Sequence, residues 1–366
     1  MKAYYYRKEL FFLLLLTLSL FSKAQTSYTW TGAHSSSWND SLNWTPKGIP
    51  QNVDNITTSG ASNTLILDQS RTVNTCNLKN TYLNLQGYTF TINGAANFDT
   101  IQTTPGGLSF TGPVLSLTKL RTEASVNAVC ASITITNSVF DSTAYLERTG
   151  SNASDFWGSN IFNEEATIIQ NNPNAAWNIG QGMLREIFNG DVAFIAQQGS
   201  LLITPVNACL FRGNINLSSS GQGISIGDTS LSFLIGNSII APGKAITISS
   251  FTSGQLSLYK LIQEGTSPNT LQLSGTASLS MSQCDFGGNI SITTGGTDTT
   301  KAEITLRNTL FRQSTTINTP LANLQGNRFN VANNAGSETI IIQAAQSASQ
   351  QLQNSNMIIG TLITKQ

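Results

Sequence analysis

The stretch Ala208–Leu217 reads ACLFRGNINL, and its form returns as REIFNGDVAF at Arg185–Phe194 and as SQCDFGGNIS at Ser282–Ser291. In each, a phenylalanine is followed by a small or turn-forming pair and then by a short run of alternating apolar and polar residues. Alternation with period two puts every second side chain on one face of a strand, and Gly, Asn or Asp beside the aromatic supplies the turn. The unit recurs along the chain. Phe140, Phe162, Phe188 and Phe211 follow one another at intervals of 22, 26 and 23; Phe286 comes after 75, Phe311 after a further 25 and Phe329 after 18. The long gap reads as about three further units, with AITISS, QLSLYKL and TLQLSGTASLSM as their strands.

A period in this range is that of a solenoid. The leucine-rich frame L-x-x-L-x-L-x-x-N is missing, and so is a helical segment in each unit. Three short strands and three turns per unit are what one coil of a parallel β-helix needs, with an inward apolar stripe and outward polar residues. The expected fold is therefore all-β, a right-handed parallel β-helix, the hand following the general bias of parallel crossovers. Phe140, Phe162, Phe188, Phe211, Phe286, Phe311 and Phe329 are expected to point inward and stack coil on coil, at about 4.8 Å per step. Cys209 and Cys284 both stand two residues before a repeat Phe, so they share a coil position. Three steps apart, about 14 Å at that spacing, they are too distant for a disulfide.

Residues 1–24 read as a secretory leader: Lys2, Arg7 and Lys8, then the apolar core FFLLLLTLSLF, then SKA before Gln25. That core is too short to span a bilayer, and no second long apolar run follows. The expected location is extracellular or at the cell surface. Removing Lys2, Arg7, Lys8, Lys23 and Glu9 from totals of 19 bases and 19 acids leaves 15 and 18, a net charge near −3. Such a surface lacks the basic patch that nucleic acid requires. Charged residues make up only 10% of the chain, and hydroxyl and amide side chains take their place. That surface suits neutral glycan or another surface protein, on a chain expected to be monomeric. Cys76, Cys130, Cys209 and Cys284 are too scattered for a disulfide framework or a metal knuckle and read as buried small side chains.

Between the leader and the first repeat, residues 25–62 carry Trp30, Trp38 and Trp44 among Gly, Ser, Asn and Pro. Large rings there can cover the open end of a β-stack, which is otherwise a pairing hazard. They can also form a platform on which sugars stack. The cap is the favoured reading, with the β-helix proper over 63–366. The opening TWTG…W…NW…P…P…D, the F-N-G-x-V/I-x-I units, and Ile240–Met281 together resemble secreted β-helical repeat proteins of Bacteroidota type. They are similar also to the passenger regions of autotransporter-like adhesins. The resemblance implies a pectin-lyase-like fold and a structural or adhesive role at the cell surface.

That fold also hosts polysaccharide lyases and hydrolases, whose chemistry needs its own set of residues. Glycoside hydrolysis calls for two carboxylates at a set separation. Asp141 follows its Phe by one residue, Asp191 by three, and Asp285 precedes its Phe by one, so the three share no register. Glu164 and Glu165 are adjacent, and neighbours on a strand face opposite ways. Arg212, Arg312 and Arg328 lie near repeat Phe residues without an acidic cluster to complete a calcium-dependent lyase site. His34 is the only histidine, too few for a histidine-based zinc site. Gly221–Gly227, GQGISIG, lacks the lysine of a phosphate-binding loop. The expectation is a structural or adhesive solenoid with no catalytic residues, no metal and no cofactor. The alternative is a carbohydrate-binding or polysaccharide-degrading protein.

Overall fold

The computed structural model describes residues 25–365 except 59–62, 151–154, 204–206, 228–235, 296–302, 308, 314, 320–327, 333–334, 337–338 and 345–360. The leader expected over 1–24 lies outside the described residues. What is described is a β-solenoid with almost no helix. Nearly every strand pair is parallel, each strand meeting its counterpart one coil later. One ladder, sheet B, holds 14 strands among the described residues, from Arg71–Val73 through Thr361–Lys365, with a register shift at Leu217/Ser218. Its alternation sets which residues enter the core. Val126, Ala144, Ala166, Val192, Ile215 and Ile246 face one another in register and are all buried.

Sheet A, the 19-stranded sheet that begins with Ser27–Trp30, turns a corner. Its early strands Thr75–Asn84 and Ala96–Thr103 cross a corner at Asn80 and Thr100, which sit at φ 49° and 58°. In later coils the strand breaks at the same place into two pieces, around Lys119, Asn137 and Ser159 at φ 52°, 52° and 65°. Lys260 and Gln283, at 51° and 56°, are the same corner further on. A left-handed residue with a Cβ costs roughly 1 kcal/mol, and Asn bears it best. Three of the corner N–H groups are satisfied across coils: Lys119 donates to Thr136 O, Asn137 to Gly158 O, and Lys260 to Ser282 O. From Ala176–Ile179 onward the piece before the corner forms its own ladder, the seven-stranded sheet C. That side of the coil, set off earlier by the corner within sheet A, thus becomes a ladder of its own, and the period lengthens along the chain. Early on, one coil runs from Val114 to Ser132; late in the chain, one coil runs from Phe286 to Phe311.

Just past the corner the Phe residues stack in sheet A. Phe140 and Phe162 lie 4.7 Å apart at 3°, Phe162 and Phe188 5.1 Å at 6°, Phe188 and Phe211 5.5 Å at 11°. Parallel offset rings add about 0.5–1.5 kcal/mol per pair beyond their burial. The column then changes occupant. Ile240 and Gln263 follow Phe211 in register, and Phe286 and Phe311 resume it, 6.3 Å apart. Two coils, not three, fill the gap, because AITISS and QLSLYKL are two sides of one coil, between Ile240 and Gln263. Phe329 does not belong to this column. Its backbone pairs with Ile304 in sheet C, and the register partner of Phe311 is Gly336. Phe329 follows Phe311 by less than one full coil, so it falls on a different side of the solenoid.

Gln263 in an aromatic column is explained by its bonds. Its Nε2 donates to Lys244 O (3.0 Å) and Ser267 O (2.9 Å), and its Oε1 accepts from Asn269 Nδ2 (2.8 Å) and Gly288 N (3.0 Å). A fully bonded buried amide avoids the desolvation penalty of an unpaired one. Cys209 and Cys284 occupy the same register position three steps apart, and all four cysteines are buried free thiols.

The tryptophans form a cap on the core. Trp30 and Trp38 are 0% exposed and Trp44 1%, and Trp30 and Trp38 each meet Trp44 edge-on at 4.9 Å. Trp38 packs in turn on Phe90 at 5.6 Å. Ser27–Trp30 pairs parallel with Asn55–Thr58, so the segment enters the same ladder as the coils that follow.

Candidate functional site

The burial of the three tryptophans corrects one reading. Rings with no exposed face cannot stack on a sugar, so Trp30, Trp38 and Trp44 are core residues. The acids and the histidine also find structural settings. His34 Nδ1 lies 2.6 Å from Asp40 Oδ2, and Ser35 Oγ donates to that same oxygen (2.8 Å). The hydroxyl therefore faces the carboxylate, not the imidazole, which is not the order of a nucleophile relay. Hydrogen bonds from His34, Ser35 and the Leu42 amide hold the Asp40 carboxyl down at about 2. Asp191 accepts from the Asn214 amide at a turn. Arg328 has Glu303 as its register neighbour in sheet C.

The outward face of sheet A is different. Beside the left-handed corner, Asn80, Tyr82, Thr100, Gln102, Lys119 and Arg121 line an open groove of about 430 Å³. It exists because the backbone turns sharply at Asn80, Thr100 and Lys119, leaving outward side chains on two inclined strand segments. Tyr82, Gln102 and Arg121 are consecutive in one outward column, and the Tyr82 ring is 42% exposed. One aromatic face with amides, hydroxyls and two cations, set at strand spacing over three successive coils, is chemistry suited to a polar polymer.

A polar ladder runs on from the groove, built from the residues that follow each column Phe. Arg121 Nε pairs with Asp141 Oδ2 at 3.2 Å, and Asn163 Nδ2 donates to Asp141 Oδ1. Asn189 Nδ2 donates to Asn163 Oδ1 (2.6 Å), and Arg212 Nη1 to Asn189 Oδ1 (3.0 Å). Asp141 and Arg212 therefore share a register column, while Asp285 lies one column over, bonded by the Arg312 guanidinium at 2.6–2.7 Å.

The residues that precede each Phe escaped the sequence reading. Val139, Ile161, Ile187, Leu210, Ile239 and Ile262 form an outward, half-buried aliphatic column. The signal was present as VF, IF, IF and LF. Two adjacent apolar residues do not say which one faces in, so only register resolves it. On the inner side, just before Ile187, Glu186 is fully buried. Trp157 Nε1 (3.0 Å) and the Asn160 amide (3.2 Å) donate to its carboxylate, yet burial pushes it up to about 7.

Among the described residues no helix is long and apolar enough to cross a membrane. Comparison with protein-family models, with curated proteins and with solved structures finds no match to this chain.

Proposed function

We propose that the chain is an exported, non-catalytic β-solenoid that serves as a structural or adhesive element at the cell surface and engages extended glycan along the sheet A groove. The observation that carries this reading is the groove lining. Tyr82, Gln102, Asn80, Thr100, Lys119 and Arg121 offer stacking, hydrogen bonding and positive charge. None of these six supplies the carboxylate pair that glycoside hydrolysis uses. The leader-like residues 1–24 and the low charge support export, and the resemblance to Bacteroidota-type β-helical proteins and adhesin passengers is the same reading at family level.

The test is a glycan array probed with residues 25–366, neutral and uronic-acid polymers included, beside Tyr82→Ala and Gln102→Ala variants. Both side chains are exposed, so the fold should survive. Loss of the stacking ring should weaken binding about tenfold, since ~1.4 kcal/mol is one decade. Binding that ignores both substitutions would remove the groove from the reading. A second reading, a polysaccharide lyase, draws on the same Lys119, Arg121 and Tyr82, which could act on a uronan as base and counter-charge. Unsaturated products from purified protein on pectin or alginate would decide for it.

A further inference from the structure

From the outward column of sheet A we infer that two copies of the chain associate face to face and antiparallel. The column runs Arg121, Val139, Ile161, Ile187, Leu210, Ile239, Ile262, Asp285, each residue one coil from the last. Six aliphatic side chains are bracketed by a cation at one end and an anion at the other. The outward column of sheet B shows what this surface normally carries: Asn127, Tyr145, Thr167, Ala193, Asn216, Thr247. Beside the aliphatic column, and in the coil of Ile187, Met183 and Leu184 are 95% and 67% exposed, with the Leu184 amide anchored on Ser159 Oγ. Adjoining exposed apolar side chains of this kind mark an interaction surface.

The order of the column specifies the occupant. A two-fold axis between Ile187 and Leu210, lying across the rod, sets Val139 against Ile262, Ile161 against Ile239 and Ile187 against Leu210. It also sets Arg121 against the second copy's Asp285, twice. A two-fold axis along the rod would instead set each charge against itself. Asp141 and Glu264 also approach in the antiparallel pairing; Arg121 and Arg312 stand beside them as counter-charges. Seven steps of about 4.8 Å make the footprint about 34 Å long, and six residues of strand and corner make it about 20 Å wide. That is roughly 700 Å² per copy, close to the ~800 Å² per side of a standard interface. The glycan groove shares only Arg121 with this surface, so the two readings fail separately.

The experiment is sedimentation of residues 25–366 across a concentration series up to about 100 μM, where an interface of this size assembles. Arg121→Glu and Asp285→Arg are each expected to raise the dimer Kd at least about tenfold. The double variant R121E/D285R should restore it to within about threefold, because the reversed charges meet again across the axis. Within one chain the two positions are about 34 Å apart, too far for that rescue to arise internally. Ile187→Lys should abolish association, with circular dichroism reporting an unchanged fold. A monomer at every concentration, or a dimer indifferent to the single reversals, or a double variant without rescue, each overturns the inference.

Discussion

Phe188→Ala perturbs the stack at its most enclosed point. The ring is 0% exposed, lies between Phe162 and Phe211 at 5.1 and 5.5 Å, and meets Phe194 edge-on at 5.6 Å. Losing the buried ring forfeits about 2 kcal/mol of transfer free energy. A residual cavity of ~100 Å³, at about 24 cal/mol per Å³, adds roughly 2 kcal/mol more. Ring pairs on three sides, at the low end of their range, bring the total to about 6 kcal/mol. In a stacked array each coil touches only its neighbours, so the loss should be local. The assay is hydrogen exchange read by mass spectrometry, on dilute protein, with denaturant melts as the global measure. Protection should fall most at Ile161–Phe162, Ile187–Phe188 and Leu210–Phe211 and persist at Leu108–Phe110. Ile187→Ala, which removes the outward neighbour on the same strand, should cost only about 1 kcal/mol. Equal costs for the two variants would refute the inward–outward assignment on which the column rests.

Gln263→Leu would leave Asn269 Nδ2 and the Gly288 amide without their acceptor and should destabilise by about 2–4 kcal/mol in denaturant melts, despite greater hydrophobicity. Glu186 holds its proton more tightly in the folded chain, up to about 7 against an ordinary 4.5, because burial disfavours its charge. Its contribution is therefore fully present below about 4.5 and is lost as pH rises through about 7, by roughly 3 kcal/mol; Glu186→Gln should flatten that dependence in melts run from pH 4 to 8. Lys119 sits at φ 52°, so Lys119→Gly should be neutral or stabilise by up to about 1 kcal/mol in thermal melts, against the usual sign for glycine.

How much of this was legible depends on whether a residue's environment comes from its own neighbours in sequence or from other coils. Phe188 and Phe211 could be placed inside, because alternation along one strand says which side chains share a face. The stack could be expected because equal spacing returns equal positions to one side of a coil. Phe329 breaks that logic through a spacing shorter than the local period, a period not apparent until the third sheet is seen. The left-handed corner is occupied by Asn80, Thr100, Lys119, Asn137, Ser159, Lys260 and Gln283. No residue type marks it, since the support comes from carbonyls one coil away, as at Lys119, Asn137 and Lys260. The tryptophans were legible as an aromatic cluster closing the end of the stack; their burial was a matter of packing on one another and on Phe90.

The amino-acid sequence alone determined that this chain is a solenoid of strands, with its period, its inward phenylalanines and the spacing that keeps Cys209 from Cys284. Those properties follow from periodicity, which is local and additive along the chain. Tertiary structure alone decided which polar groups enter the core, as Gln263 and Glu186 do, and which apolar ones stay out, as Ile161 and Ile187 do. It also decided where a bend opens a groove. The reason is physical: burial of a polar side chain depends on hydrogen-bond partners, and exposure of an apolar one on register, and both are supplied by neighbouring coils that are distant in the sequence.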